Sequence, residues 1–269
     1  MSRELGRGVV VAARVGYVAK GLVYGVVGFL ALLTVLGEPG GRLTGSSGAL
    51  EEIGREPYGV ILLWVSALGL ACYALWNGVR AALDPEHAGS GQKGLAKRIG
   101  YGFSAGLHAM LAYTAAKLAH GQASGGGDGT VRAVAELMSL PFGRIVTALA
   151  GLCAVAFGLQ QIHQALKGKV GEQYASAQLS ARMKAASHRI AQIGVFARGM
   201  VFPVIGGSFV VAALRGNPRS ADGFGGALGE IAHGPFGRAL LAFVATGLLA
   251  YGVHLFFVAR YGRLPEPRT

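Results

Sequence analysis

Three times along the chain a glutamate stands five residues before a Pro-aromatic-Gly triplet, and each triplet opens a long apolar run. Glu52 leads to Pro57-Tyr58-Gly59, Glu136 to Pro141-Phe142-Gly143 and Glu230 to Pro235-Phe236-Gly237. The prolines are 84 and then 94 residues apart, so the chain reads as three copies of one unit. Aligned on proline, Gly16, Gly100 and Gly194 coincide upstream. They are followed by Lys20, Ser104 and Arg198, then by Tyr24, His108 and Phe202, and then by Gly28, Ala112 and Gly206. Small residues at four-residue steps, such as Gly21 and Gly25, make a groove that lets a second helix backbone come close.

What surrounds the repeated stretch is a bilayer composition. Apolar residues make up 52% of the chain and charged residues 14%, against about 25% charged in an ordinary soluble domain. Six apolar runs, at 15–36, 58–79, 99–118, 142–166, 193–214 and 236–259, each supply the roughly 20 residues that a helix needs to cross about 30 Å of hydrocarbon. Unpaired strands are too costly there. Lys20 interrupts the first run and no small-x-small pattern follows it, so it reads as a span and not as a cleaved signal. Cys72 and Cys153 lie inside apolar runs at non-equivalent positions, which excludes a disulfide framework or a cysteine metal site.

The net charge of +12 comes from residues scattered between apolar runs, which argues against a nucleic-acid surface and for topology signals. The N-terminal segment through Lys20, the loop 80–98, the segment 167–198 and the tail from Arg260 carry 17 basic residues; the other connections carry eight. The positive-inside rule then puts both termini in the cytoplasm and the three glutamates outside. Gly125-Gly126-Gly127 marks a flexible outer linker. Val170, Tyr174, Ala177 and Ala181 fall at helical spacing among basic residues, as in a helix lying on the inner surface. Because each unit holds two spans, the copies are expected to be parallel. The expected fold is all-α integral membrane: six transmembrane helices in three parallel two-helix repeats, with pseudo-threefold symmetry about the membrane normal. The repeats cover 13–86, 97–169 and 191–261, with an amphipathic cytoplasmic linker at 170–190.

The run Arg14-Val15-Gly16-Tyr17-Val18-Ala19-Lys20-Gly21-Leu22-Val23-Tyr24, the acidic Pro-aromatic-Gly stretch, and Gly69-Leu70-Ala71-Cys72-Tyr73-Ala74-Leu75-Trp76 together resemble the bacterial membrane family called domain of unknown function 1206. The resemblance covers about residues 13–260 and implies paired spans in three copies. The second copy departs from the pattern, with His108 in place of the aromatic and Gln160-Gln161 after its second span. The resemblance implies no activity.

Two groups of residues are candidates for chemistry. Threefold symmetry would bring Glu52, Glu136 and Glu230 around one axis, where three carboxylates attract a cation. The competing reading is local: each carboxylate accepts hydrogen bonds from a turn or helix N-terminus, or pairs with a base such as Arg144 or Arg238. His108, His163 and His254 lie in or near spans, where imidazoles on facing helices hold haem iron or relay protons. Polar packing competes with that reading, and no Cys-x-x-Cys-His attachment motif is present.

Lys20 and Arg198 are expected to snorkel to lipid phosphates, Asn77, Gln160 and Gln161 to join helices, and Trp76 to anchor at the inner interface. Phosphate-loop, His-Glu-x-x-His and Gly-x-Ser-x-Gly motifs are absent, so no catalytic residue, metal or cofactor is assigned. The expected function is that of a non-enzymatic membrane module whose partners are lipids, structural or lipid-interacting, alone or as an oligomer. Passage of a small solute or cation is the alternative, and haem-based redox the second alternative.

Overall fold

The computed structural model describes residues 2–85, 91–122, 129–170 and 180–262, and these form nine α-helices and no strand. Each repeat contributes a long helix, a ten-residue helix and another long helix. Repeat one holds α1 (Ser2–Leu36), α2 (Ser46–Arg55) and α3 (Gly59–Leu83). Repeat two holds α4 (Gln92–Ala119), α5 (Gly129–Met138) and α6 (Gly143–Leu166). Repeat three holds α7 (Ala181–Arg215), α8 (Phe224–His233) and α9 (Gly237–Tyr261). The Gly125-Gly126-Gly127 linker and residues 171–179 lie outside the described residues. Residues 181–190, expected in a separate surface linker, are the first turns of α7.

Helices α1, α3, α6, α7 and α9 are long and apolar enough to cross a membrane, so this is a multi-pass membrane protein. Helix α4 differs from the expected sixth span. Its 28 residues would reach ~42 Å at about 1.5 Å per residue, but Lys93, Lys97, Arg98, His108 and Lys117 dilute its apolar character.

The recurring triplet makes one turn three times. Proline precedes the helix by two residues. The aromatic takes a left-handed backbone, with φ of 66° at Tyr58, 63° at Phe142 and 57° at Phe236. The glycine N–H closes the turn onto the carbonyl three residues back, at 2.8 Å for Gly59 to Glu56, 2.9 Å for Gly143 to Leu140 and 2.9 Å for Gly237 to Gly234. Positive φ at the third position of the turn, directly after proline, is the geometry of a type II turn. A side chain on the glycine would run into the carbonyl oxygen of Gly54, Leu137 or Ala232. All three aromatic rings are exposed, as an interfacial belt requires.

The short helices are amphipathic caps. Ala49, Leu50 and Ile53 of α2 are buried, as are the equivalent Ala227, Leu228 and Ile231 of α8, whereas α5 buries Val134 alone. Helix α2 rests on α1, α3 and α4, α8 on α7 and α9, and α5 on α6 and the 3-10 turn Pro218–Ser220.

The long helices pack most extensively between repeats. The first long helix of each repeat lies against the second long helix of another: α4 on α3, α7 on α6, and α1 on α9. Small residues permit this. A methyl group at Gly21 would lie 3.0 Å from the Gly252 oxygen, and one at Gly28 2.8 Å from the Ala245 oxygen. At the α6/α7 seam Gly199 and Gly206 meet Gly158 and Gly151 in the same register. One equivalent side chain in each repeat then binds the terminal carbonyls of its neighbour. Arg14 donates to Arg260 O (3.4 Å), Arg98 to Ala81 O (2.8 Å) and Ala82 O (3.0 Å), and Gln192 to Ala165 O (3.1 Å). At the other ends Arg238 donates to Val35 O (3.1 Å), and Arg144 to Ala213 O and Leu214 O (both 2.9 Å). Cations at helix C-termini satisfy orphan carbonyls and oppose the helix dipole.

Within repeats the packing is unequal. Helices α1 and α3 pack together, as do α7 and α9, whereas among the described residues α4 and α6 are not packed against each other. A substitution at the tightest point explains the difference. In repeats one and three Gly69 and Gly247 abut Ala19 and Ala197, and any side chain on either glycine would collide with that alanine. The equivalents in repeat two are Cys153 and Phe103. A sulfur and a phenyl ring replace a hydrogen and a methyl, so the backbones cannot approach as closely.

Candidate functional site: two cations among aromatic rings

Lys20, on α1, is only 5% exposed. Its ammonium donates to Tyr73 Oη on α3 at 2.9 Å and lies 4.3 Å from the centre of that ring. Arg198, the equivalent residue of repeat three, repeats the arrangement on α7: Nη1 donates to Tyr251 Oη on α9 at 2.6 Å, and the guanidinium lies 4.7 Å from that ring. Tyr24 stands between the two cations, 6.0 Å from the Lys20 ammonium and 5.6 Å from the Arg198 guanidinium, and meets Tyr251 edge-to-face at 4.9 Å. Phe202 and Phe157 lie 5.1 and 5.5 Å from the guanidinium.

Aromatic faces and phenol oxygens offset part of the cost of burying positive charge. They do not neutralise it. The sequence has no Asp or Glu in 8–36, 59–83, 92–119, 143–166, 181–215 or 237–261, so no long helix offers a carboxylate at this level. Arg198 Nε is buried without a hydrogen-bond partner. In repeat two the same two positions are Ser104 and Phe157, where cation and phenol are both lost.

The depth follows from helix rise. Lys20 sits sixteen residues from Leu36 and Tyr73 fourteen from Gly59, so the cluster lies ~21–24 Å from the glutamate-bearing end at about 1.5 Å per residue. It is thus nearer the helix ends that carry the basic connections.

Comparison with known proteins agrees with the division into three repeats. The family model described as Domain of Unknown Function (DUF1206) matches residues 15–84, 99–168 and 193–262. The chain belongs to the DUF1206 family. It is also 33% identical over 241 residues to the uncharacterized protein YxxB of Bacillus subtilis (strain 168), an alignment that covers 90% of this chain and 86% of that one. No solved structure matches.

In this DUF1206 chain Lys20, Arg198, Asn77, His108 and His254, singled out by sequence, gather around Tyr73 and Tyr251, while the glutamates lie elsewhere. Lys20 and Arg198 turn inward to Tyr73 and Tyr251 instead of outward to lipid phosphates, because phenols on the adjacent helix lie within reach. Glu52, in the last turn of α2, forms ion pairs with Arg42 (3.1 Å) and Arg55 (3.0 Å), whereas Glu136 and Glu230 are exposed. Arg144 and Arg238, considered as partners for the glutamates, are bound to helix carbonyls. Among the described residues no three His, Cys, Asp or Glu side chains are grouped to hold a metal ion. Outside the spans, burial and the nearby Glu230 carboxylate raise the Asp222 pKa.

Of the three histidines, two adjoin the cluster and one does not. His108 Nδ1 meets Ser104 O of its own helix at 2.7 Å and its ring lies 4.5 Å from Tyr73. His254 is buried 6.0 Å from Tyr251, and His163 is exposed. Asn77 is buried and donates to Tyr73 O at 2.9 Å within α3, so it steadies the lysine's partner and does not join helices. Gln161 is buried and Gln160 exposed. Trp76, expected at the interface, is 1% exposed in the core. Tyr73 and Tyr251, which define the cluster, were missed by sequence reading. Their signal was available: they fall at one repeat position, facing the Lys20 and Arg198 position.

Proposed function

We propose that this DUF1206 protein is a non-enzymatic lipid-interacting module that holds the anionic headgroup of a membrane lipid between Lys20 and Arg198. One observation carries the reading: two like charges stand among aromatic rings, Lys20 buried and Arg198 half-buried, on helix segments 8–36, 59–83, 181–215 and 237–261 that hold no acidic residue. Buried charges in membranes are paired, and ionisable residues at such depth mark functional sites. An anion is the counter-charge this interior lacks. A guanidinium cannot shed its proton, so Arg198 keeps its demand for one.

In the same reading the six long helices cross the membrane, α4 included. They form three parallel hairpins about an axis along the membrane normal, with both termini in the cytoplasm and the protein in the bacterial cytoplasmic membrane. The basic connections then lie on the side of the cluster, where the cytoplasmic leaflet supplies anionic headgroups. A cation route along the axis is opposed by two positive charges of the same interior.

The reading is tested with spin-labelled lipids in reconstituted membranes. An immobilised fraction larger for phosphatidylglycerol than for phosphatidylcholine, with the preference surviving high salt because the site is buried, is the expected result. Equal immobilisation of the two lipids would remove the proposal.

A further inference from the structure

The geometry points to the open seam between α4 and α6 as the slot through which this lipid enters sideways and in which its acyl chain stays. The inference rests on the headgroup reading above and adds the route and the partner's other half. The exposure of equivalent positions carries it. Phe103 is 68% exposed where Ala19 and Ala197 are at most 6%; Leu107 is 46% exposed where Val23 and Val201 are at most 2%. Phe157 is 41% exposed where Tyr73 and Tyr251 are at most 6%. These positions face the packed seams of repeats one and three, so repeat two presents the lining of an unfilled seam.

The inner end of that lining is the cation cluster. Phe157 on α6 contacts the Arg198 guanidinium, and His108 on α4 lies against Tyr73, the phenol that binds Lys20. One edge of the slot therefore meets each cation's surroundings. An apolar slot that leads to two uncompensated cations fits one class of molecule: an anionic lipid, with its headgroup at Lys20 and Arg198 and a chain along Phe103 and Leu107. A partner's transmembrane helix would have to bring its own acid to this depth to fit as well.

Native mass spectrometry of the full chain, taken from vesicles of phosphatidylcholine with a minor share of phosphatidylglycerol, separates the outcomes. The wild-type protein is expected to retain phosphatidylglycerol. Phe103→Ala with Cys153→Gly, which restores the pair found in the closed repeats, should reduce retention at least about tenfold while both cations remain. Lys20→Met with Arg198→Met should reduce it about thirtyfold, the weight of two cations against an anionic headgroup. If the cation variant loses the lipid and the seam variant keeps it, the slot is wrong and the headgroup site stands. If the cation variant keeps the lipid, the headgroup site itself fails. A dimer or a protein adduct in place of lipid overturns the slot. A photo-cross-linker at Leu107 in the otherwise unchanged chain guards against misfolding: it should capture phosphatidylglycerol in excess of its share of the vesicle, and one at Phe29 should not. Equal capture at both positions contradicts the inference.

Discussion

Lys20 and Tyr73 are joined by a 2.9 Å hydrogen bond across the α1/α3 seam, and the equivalent residues Arg198 and Tyr251 are joined at 2.6 Å across the α7/α9 seam. Each phenol supplies an oxygen to a cation removed from water. Losing it leaves a buried donor unsatisfied, at a cost of about 1.5–3 kcal/mol for a bond to a charged group. Tyr73→Phe is therefore expected to lower unfolding stability in detergent by that amount. Tyr113→Phe, at an exposed position, should stay within about 0.5 kcal/mol of wild type.

The Gly-Ala contacts that close repeats one and three make a sharper contrast. Gly69→Leu and Gly247→Leu drive a side chain into Ala19 and Ala197 and should cost about 1–3 kcal/mol or more. Cys153→Leu, at the equivalent position of the open repeat, should be within about 0.5 kcal/mol of neutral. Thermal unfolding in detergent measures all three, and equal losses would show that repeat two is closed.

The repeated turn yields opposite signs at adjacent residues. Gly237→Ala places a methyl group against the Ala232 oxygen and should destabilise by about 1–3 kcal/mol. Phe236→Gly relieves a left-handed backbone whose cost is of order 1 kcal/mol, and should leave stability equal or higher. Reversal of the two effects in an unfolding assay would contradict the turn geometry.

The three glutamates are expected to act separately. Glu52→Gln breaks two partly exposed ion pairs and should cost no more than about 1 kcal/mol, while Glu136→Gln and Glu230→Gln should each change stability by less than about 0.5 kcal/mol. The triple variant in vesicles should leave cation permeability at the wild-type level. A loss of flux would restore the converging-carboxylate site.

The repeat spacing made the long-short-long architecture legible, because the same apolar run follows each Pro-aromatic-Gly triplet and small residues recur in register. Two features of the same alignment stayed hidden. A lysine one turn inside a span reads as snorkelling until a phenol on the neighbouring helix is known to lie within reach, and that is a tertiary fact. Likewise, Phe103 and Cys153 look like ordinary apolar residues until Ala19 and Gly69 are seen in contact. Only then does their combined bulk explain why α4 and α6 stand apart. Arg98, Arg144 and Arg238 read as topology charges or glutamate partners because the carbonyls they bind belong to other repeats, 17, 69 and 203 residues away in sequence.

The central claim, that the interior cations hold an anionic lipid headgroup, is tested most directly by the phosphatidylglycerol selectivity of Lys20→Met/Arg198→Met beside the charge-preserving Lys20→Arg. Spin-labelled lipid in reconstituted membranes reports it. The expected result is loss of the preference in the double variant and its survival in Lys20→Arg, with the phosphatidylcholine signal unchanged in both. Undiminished preference in the double variant would contradict the account.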